Sequence, residues 1–161
     1  MNDKLAEALK RFWAETSPAL CDHGADVANA LEAKYDIRLP EDFKAYLVEG
    51  SPAEEAMRGR GFSLWAPERI KSMPDECHSE TPLDQINPVI QVEANRYLVF
   101  SDFLVWCYAY AICCSEGPNR GKVAIIGDGG DRLVADNFYT FIEMAAQNAG
   151  CLHPRPPNAA P

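Results

Sequence analysis

The stretch FLVWCYAYAICC, residues 103–114, is the longest uncharged apolar run of the chain. Read with a period of two, one face carries Val105, Cys107, Ala109, Ala111 and Cys113, and the other carries Trp106, Tyr108, Tyr110 and Ile112. Its aromatic and β-branched content favours a strand, and because neither face is polar, both must be covered. The run therefore predicts a central strand with helices packed on at least one side. Its twelve residues fall short of the ~20 that a membrane helix needs.

The same period of two predicts strands at Val89–Val92, Tyr97–Ser101, Lys122–Gly127 and Arg132–Ala135. A short strand is expected at Phe62–Trp65 and a helical turn from Pro67 to Ser72. Gly127-Asp-Gly-Gly-Asp131 reads as a hairpin turn, since Asp-Gly supplies the positive φ such turns require. A phosphate loop would need a helix after it, and a calcium loop its spaced ligands and bidentate Glu.

On the N-terminal side the period changes to that of a helix. Leu5, Leu9, Phe12 and Trp13 follow Asn2-Asp3 at helical spacing. Val27, Leu31 and Tyr35 share a face of a second helix, starting at Ser17-Pro18 or at Gly24. The third begins at Pro40, whose fixed φ suits a first turn; Glu41 and Asp42 favour the positive helix end, Phe43, Tyr46 and Leu47 point inward, and Gly50 ends it. A last helix opens near Asp136-Asn137, with Phe138, Phe141, Ile142 and Ala145 inward, and stops at Gly150. A single domain is expected over residues 1–150, followed by a Pro-rich tail, residues 151–161, too poor in apolar residues to pack and therefore flexible.

The 161 residues include fifteen Lys/Arg and twenty-four Asp/Glu, a net charge of -9. Residues 1–80 carry ten basic and sixteen acidic side chains, against five and eight in the remainder. Such an excess opposes direct contact with nucleic-acid phosphates or anionic lipid and suits a basic protein partner. The opening MNDKLAEALKRFW alternates charged and apolar residues and lacks the apolar core of a signal peptide, so a cytoplasmic location is expected. In a reducing compartment the six cysteines are expected to be free and mostly buried.

Little in the sequence points to catalysis. Each histidine lies near a cysteine, as Cys21/His23, Cys77/His78 and Cys151/His153, but no CxxC or HxxxH spacing occurs, so neither metal nor cofactor is expected. A reactive thiol needs a nearby base or cationic field, and Cys113 sits deep in an apolar strand pattern, which leaves strand-end Cys114 as a weak exception. No Ser/His/Asp order, paired catalytic carboxylates or HExxH is defensible, and the expectation is no catalytic residue and no enzyme. A thiol- or metal-dependent enzyme remains the alternative and would need a Cys/His pair to converge in space. The acidic residues Glu41, Asp42, Glu49, Glu54, Glu55, Asp75, Glu76 and Glu80 read either as a docking face or as an ordinary solvated surface.

LPEDFKAYL (39–47), Leu64-Trp65, YLVFSDFLVWCYAYAI (97–112) and VADNFYTFI (134–142), in this order, resemble the SUKH superfamily, over about residues 25–148. That superfamily includes immunity proteins of bacterial polymorphic toxin systems and a fungal cell-wall assembly regulator. Leu39, Pro40, Phe43 and Tyr46 match its helix start, Trp65 its mid-chain aromatic, Phe100, Asp102, Trp106, Tyr110 and Ala111 its long strand, and Ala135, Phe138 and Phe141 its closing helix. Ser101 stands where the family pattern has Ala. The resemblance implies an α+β fold: N-terminal helices and a C-terminal helix on a mostly antiparallel sheet of about five or six strands. It also implies a non-enzymatic immunity protein that neutralises a cognate toxin by occluding its active surface, and the acidity of the chain suits a nucleic-acid-acting toxin with a basic groove; a housekeeping protein-binding scaffold is the alternative. Glu41, Asp42, Glu54, Glu55 and Asp102 are the expected partner-binding residues, near a cleft where the third helix meets the sheet. Asp102, flanked by apolar strand residues, is also expected to hydrogen-bond at the sheet.

Overall fold

Asn2 opens the first helix of the computed structural model, α1 (Asp3–Phe12), by accepting the Leu5 N–H at 2.9 Å. The residues described are 1–58, 61–77, 86–127 and 131–153. α2 (Gly24–Tyr35) and α3 (Glu41–Glu49) follow, the latter between Pro40 and Gly50 as its sequence predicts. The last long helix, α6 (Phe138–Ala146), is capped by Asn137, whose side chain accepts the Thr140 N–H at 2.8 Å. In each case a polar or φ-restricted residue precedes an inward apolar stripe, the pattern that starts a helix and fixes its buried face.

Between α3 and α6 lie β1 (Ala56–Met57), β2 (Phe62–Leu64), β3 (Lys71–Ser72), α4 (Met73–Glu76), α5 (Pro88–Gln91), β4 (Tyr97–Phe103), β5 (Tyr108–Cys113), β6 (Val123–Ile126) and β7 (Arg132–Ala135). The seven strands form one sheet in the order β1-β2-β4-β5-β6-β7, with β3 also on β4, and all the pairings described are antiparallel. The protein is thus a single α+β domain. All six residues of β5 are buried, because the sheet is covered on both faces. On one, Phe12, Leu31, Phe43 and Phe138 of α1, α2, α3 and α6 pack with Phe100, Tyr110 and Ile112. On the other, Met73 and Ile90 of α4 and α5 pack with Trp65, Val99 and Ala111.

One irregularity sets which side chains of β4 reach which face. Val99 pairs with Ala111 but Ser101 pairs with Tyr110, so Phe100 is an extra residue in β4. Strict alternation would place Phe100 and Asp102 on the same face. Phe100 stays with Leu98 in the core beneath α1, α2, α3 and α6, and the inserted residue turns Asp102 to the side of its partner Ala109 and of Trp65.

Several elements differ from the sequence expectation. The 103–114 run is not one strand: Leu104, Val105 and Trp106 take φ of 48°, 54° and 67° and turn it into the β4–β5 hairpin. Such φ values are unfavourable for non-glycine residues, and here the turn is tied by the Leu104 N–H to Gly61 O at 2.9 Å. Val89–Val92 is not a strand, because Asn87 caps the Val89 N–H at 3.0 Å and Pro88 starts the short helix α5. Pro67–Ser72 splits into a 3-10 turn, Pro67–Arg69, and β3. With β1 and β3, two-residue strands too short to show a period, the sheet exceeds the five or six strands expected.

β6 and β7 pair as a hairpin, and the Asp131 carboxylate accepts the Gly127 N–H at 3.0 Å. Residues 128–130 of that expected turn lie outside the described residues. The flexible-tail expectation fails over its first residues. Leu152 is fully buried, the Tyr110 hydroxyl donates to Leu152 O at 2.8 Å, and the His153 ring packs against Phe62 and Phe103. One apolar side chain and a backbone acceptor suffice to anchor the segment; residues 154–161 lie outside the description.

At the start of α2, a Cβ added to Gly24 would stand 1.9 Å from Leu47 O of α3. Gly24→Ala is therefore expected to destabilise the protein by about 1–3 kcal/mol in urea unfolding, although alanine is the better helix former by about 1 kcal/mol. A stabilised variant would show that α2 and α3 do not approach so closely.

Candidate functional site

Asp102 is 1% exposed. Its Oδ2 accepts the Trp65 indole N–H at 2.8 Å and lies 3.6 Å from Arg69 Nη2. The Arg69 guanidinium lies 3.9 Å from the centroid of the buried Trp65 ring and reaches out to pair with Glu55. Trp65 is thus held at its edge by a carboxylate and on its face by a cation, an arrangement that fixes the Arg69 head group. Burial pushes the Asp102 carboxyl above the usual carboxylate range, against the opposing effects of the Trp65 hydrogen bond and Arg69. Asp102 is accordingly hydrogen-bonded at the sheet. Its expected direct contact with a partner is corrected: the side chain lies beneath the surface, behind Arg69.

Glu54 and Glu55 are exposed, on the segment leading from α3 to β1. An isolated bridge between Leu20 and Pro52, with Ala53 N donating to Ala19 O at 2.8 Å, holds that segment beside residues 19–23. The 3-10 turn closes the group, since Glu68 contacts His23 and Arg69 contacts Glu55. Asp22, Glu54, Glu55 and Glu68 thereby share one face with Arg69 and His23. The charge excess of the first half marked this region in the sequence, but nothing in the spacing joined Asp22 and Glu68 to it.

Glu41 and Asp42 stand elsewhere. They begin α3, whereas Glu54 and Glu55 follow its end, so the two pairs lie at opposite ends of a nine-residue helix with a rise of ~1.5 Å per residue. Both line a cleft of about 840 Å³, together with Lys4, Arg38, Glu116 and Arg120. Its charges are mixed rather than acidic. Asp42 has a structural task there, its Oδ1 accepting the Phe43 N–H at 2.9 Å and its Oδ2 the Tyr139 N–H of α6 at 3.0 Å. The expected single cleft holding all five acidic residues is therefore not formed: Glu41 and Asp42 are at one place, and Glu54, Glu55 and the buried Asp102 at another.

All six cysteines are free. Cys107 is exposed, because it belongs to the hairpin turn rather than to a strand. Burial pushes the Cys77 thiol up to about 12 and raises that of Cys114, which argues against thiolate chemistry at either. His153 is occupied by the Tyr108 hydroxyl at 2.7 Å, and His78 lies outside the described residues. Cys21 and His23 do converge with a third donor, Glu68. Hydrogen bonds that the His23 ring donates to the carboxylates of Asp22 and then Glu68 raise its pKa. No helix among the described residues is long and apolar enough to cross a membrane. No protein-family model matches the chain, and no curated protein matches it.

Asp102→Ala leaves the Trp65 N–H buried without its acceptor and is expected to cost about 1–3 kcal/mol, with a lower Tm. Asp102→Asn keeps an acceptor and removes the titration. A carboxyl raised in the folded state favours folding most below its ordinary value of 3.8, and this contribution is lost as pH rises through the raised value. Wild-type stability minus that of Asp102→Asn should therefore fall as pH increases above 3.8; a pH-independent difference would contradict the burial effect. In a separate measurement, Cys107 and Cys151, both exposed, should react quickly with a thiol reagent while Cys77, Cys113 and Cys114 wait for unfolding. A fast Cys113 would contradict the two-sided cover of the sheet.

Proposed function

We propose that the protein is a non-enzymatic, cytoplasmic immunity protein of the SUKH type, which neutralises a nucleic-acid-acting toxin by docking on and occluding its basic active surface. The observation that carries this reading is the convergence of Asp22, Glu54, Glu55 and Glu68 from three chain segments onto one face. Opposed fields accelerate encounter and fix orientation, and a toxin that handles phosphates presents the complementary positive groove. The family part of the reading is supported by how the resembling residues assemble. Phe43 and Phe100 pack at 5.4 Å between ring centroids, Phe43 and Phe138 at 5.2 Å, and Trp65 and Asp102 share a buried hydrogen bond. The mixed-charge cleft at Glu41 and Asp42 is left out of the docking face.

The test is the association rate with a basic toxin domain encoded beside the gene, measured against ionic strength. Reversing Glu54 and Glu55 to Lys should slow association by ~10-fold at low salt, reduce its salt dependence and leave the melting temperature within a few degrees. Tight binding with a salt-insensitive rate, retained after reversal, would place the contact on an apolar surface elsewhere.

A further inference from the structure

A groove of about 470 Å³ runs between α2 and the segment that leads from the 3-10 turn into β3. Val27, Ala30 and Leu31 form one wall, at the i, i+3, i+4 spacing that puts side chains on one helix face, and Pro67 and Ile70 form the other. Leu31 and Ile70 are 6% and 3% exposed and belong to the core beneath the helices, so they make a floor, while Ala30 is exposed at the mouth. The walls are set before anything enters. The Ile70 N–H donates to Pro67 O at 3.2 Å, Lys71 pairs with Val99 in the sheet, and α2 is pressed against α3 at Gly24. A preformed apolar recess rewards an apolar side chain at little ordering cost to the protein.

The ends of the groove are charged. At one, Lys34 pairs with Asp75 at 3.3 Å and Lys71 with Glu76 at 3.1 Å, so each lysine is matched by a carboxylate. At the other stand Asp26 and Glu68, both exposed. Glu68 is also a member of the acidic face, which makes groove and face one continuous surface. With the lysines matched, the charge left over that surface is that of Asp22, Asp26, Glu54, Glu55 and Glu68 against Arg69 and His23, negative even when His23 is protonated. An anionic partner is repelled there, and a purely apolar one would leave the rim carboxylates uncompensated. A segment that combines an apolar side chain with flanking lysines or arginines satisfies both features at once.

We propose that this groove takes one large apolar side chain, of leucine size or more, from a lysine- or arginine-rich segment of a protein partner, whose cations pair with Asp26 and Glu68. The inference rests on the reading of the neighbouring acidic face as the side that a basic partner approaches. It adds the anchor that long-range charge does not supply, since opposed fields set the rate of encounter and a buried side chain the rate of departure. Interfaces concentrate their affinity in such filled recesses beside a polar rim.

The probes are two dye-labelled, amidated peptides, one of lysines flanking a single leucine and one with alanine in its place, titrated onto the full chain by fluorescence anisotropy. The wild type should bind the leucine peptide ~10-fold more tightly, the discrimination that burying most of a leucine side chain supplies. Ala30→Trp, which fills the mouth from an exposed helix position, should abolish this preference and keep the salt-dependent affinity for lysine. Reversing Glu54 and Glu55 to Lys should weaken both peptides together and keep the preference. Absence of binding, equal binding of the two peptides by the wild type, or a preference that survives Ala30→Trp would overturn the groove. The two readings fail separately: loss of affinity on reversal without a leucine preference overturns the groove alone, and a leucine preference with affinities unmoved by reversal overturns the acidic docking face alone.

Discussion

The hydrogen bond from the Trp65 indole to Asp102 lies where the second core meets the charged surface. Through it the second core, beneath α4 and α5, meets the charged surface above Arg69. It exists because β4 carries one residue too many. Phe100 points with Leu98 towards α3 and α6, against Phe43, Phe138 and Phe141, and the insertion returns Asp102 to the opposite face. Without it, a carboxylate would point into the aromatic cluster, where an unpaired charge is far more costly than a kinked strand. The bulge therefore reconciles two demands made by neighbouring residues of the same strand.

A buried carboxylate is a poor source of net stability, since desolvation consumes much of what its partners contribute. What it supplies here is position. Arg69 is stacked on Trp65 at 3.9 Å and directed towards Glu55, so a surface ion pair that would be weak by itself is seated on an immobile base. The face around it gathers residues 19–23, 51–55 and 67–69, three connections that each leave the helical or sheet framework only briefly. A rigid framework presenting variable loop charges is a common division of labour in binding proteins. Fold alone would not assign that role; the placement of the charges motivates it.

Where a local rule governs an element, the sequence was legible. Asn2, Pro40 and Asn137 announce α1, α3 and α6, and Arg132–Ala135 is a strand at the bounds its period gives. The failures are places where distant contacts decide. Leu104, Val105 and Trp106 contain no Gly, Asn or Pro, yet they form a left-handed turn tied to Gly61. Leu152 sits in a Pro-rich tail but fills the core beside Tyr110. The bulge at Phe100 left no composition signal, so the burial of Asp102 was readable while its direction was not. Glu68 lies 45 residues from His23, beyond any ligand spacing that a motif could register.

The claim that one buried contact organises core and surface together is tested most directly by a double-mutant cycle. Trp65→Phe, Asp102→Ala and the double variant would be compared by urea unfolding, each against the wild type. The account predicts non-additivity of about 1 kcal/mol or more, because once either partner is gone the other change has less left to break. Effects that add to within about 0.3 kcal/mol would contradict it, and would mean that Trp65 and Asp102 are buried side by side without depending on each other.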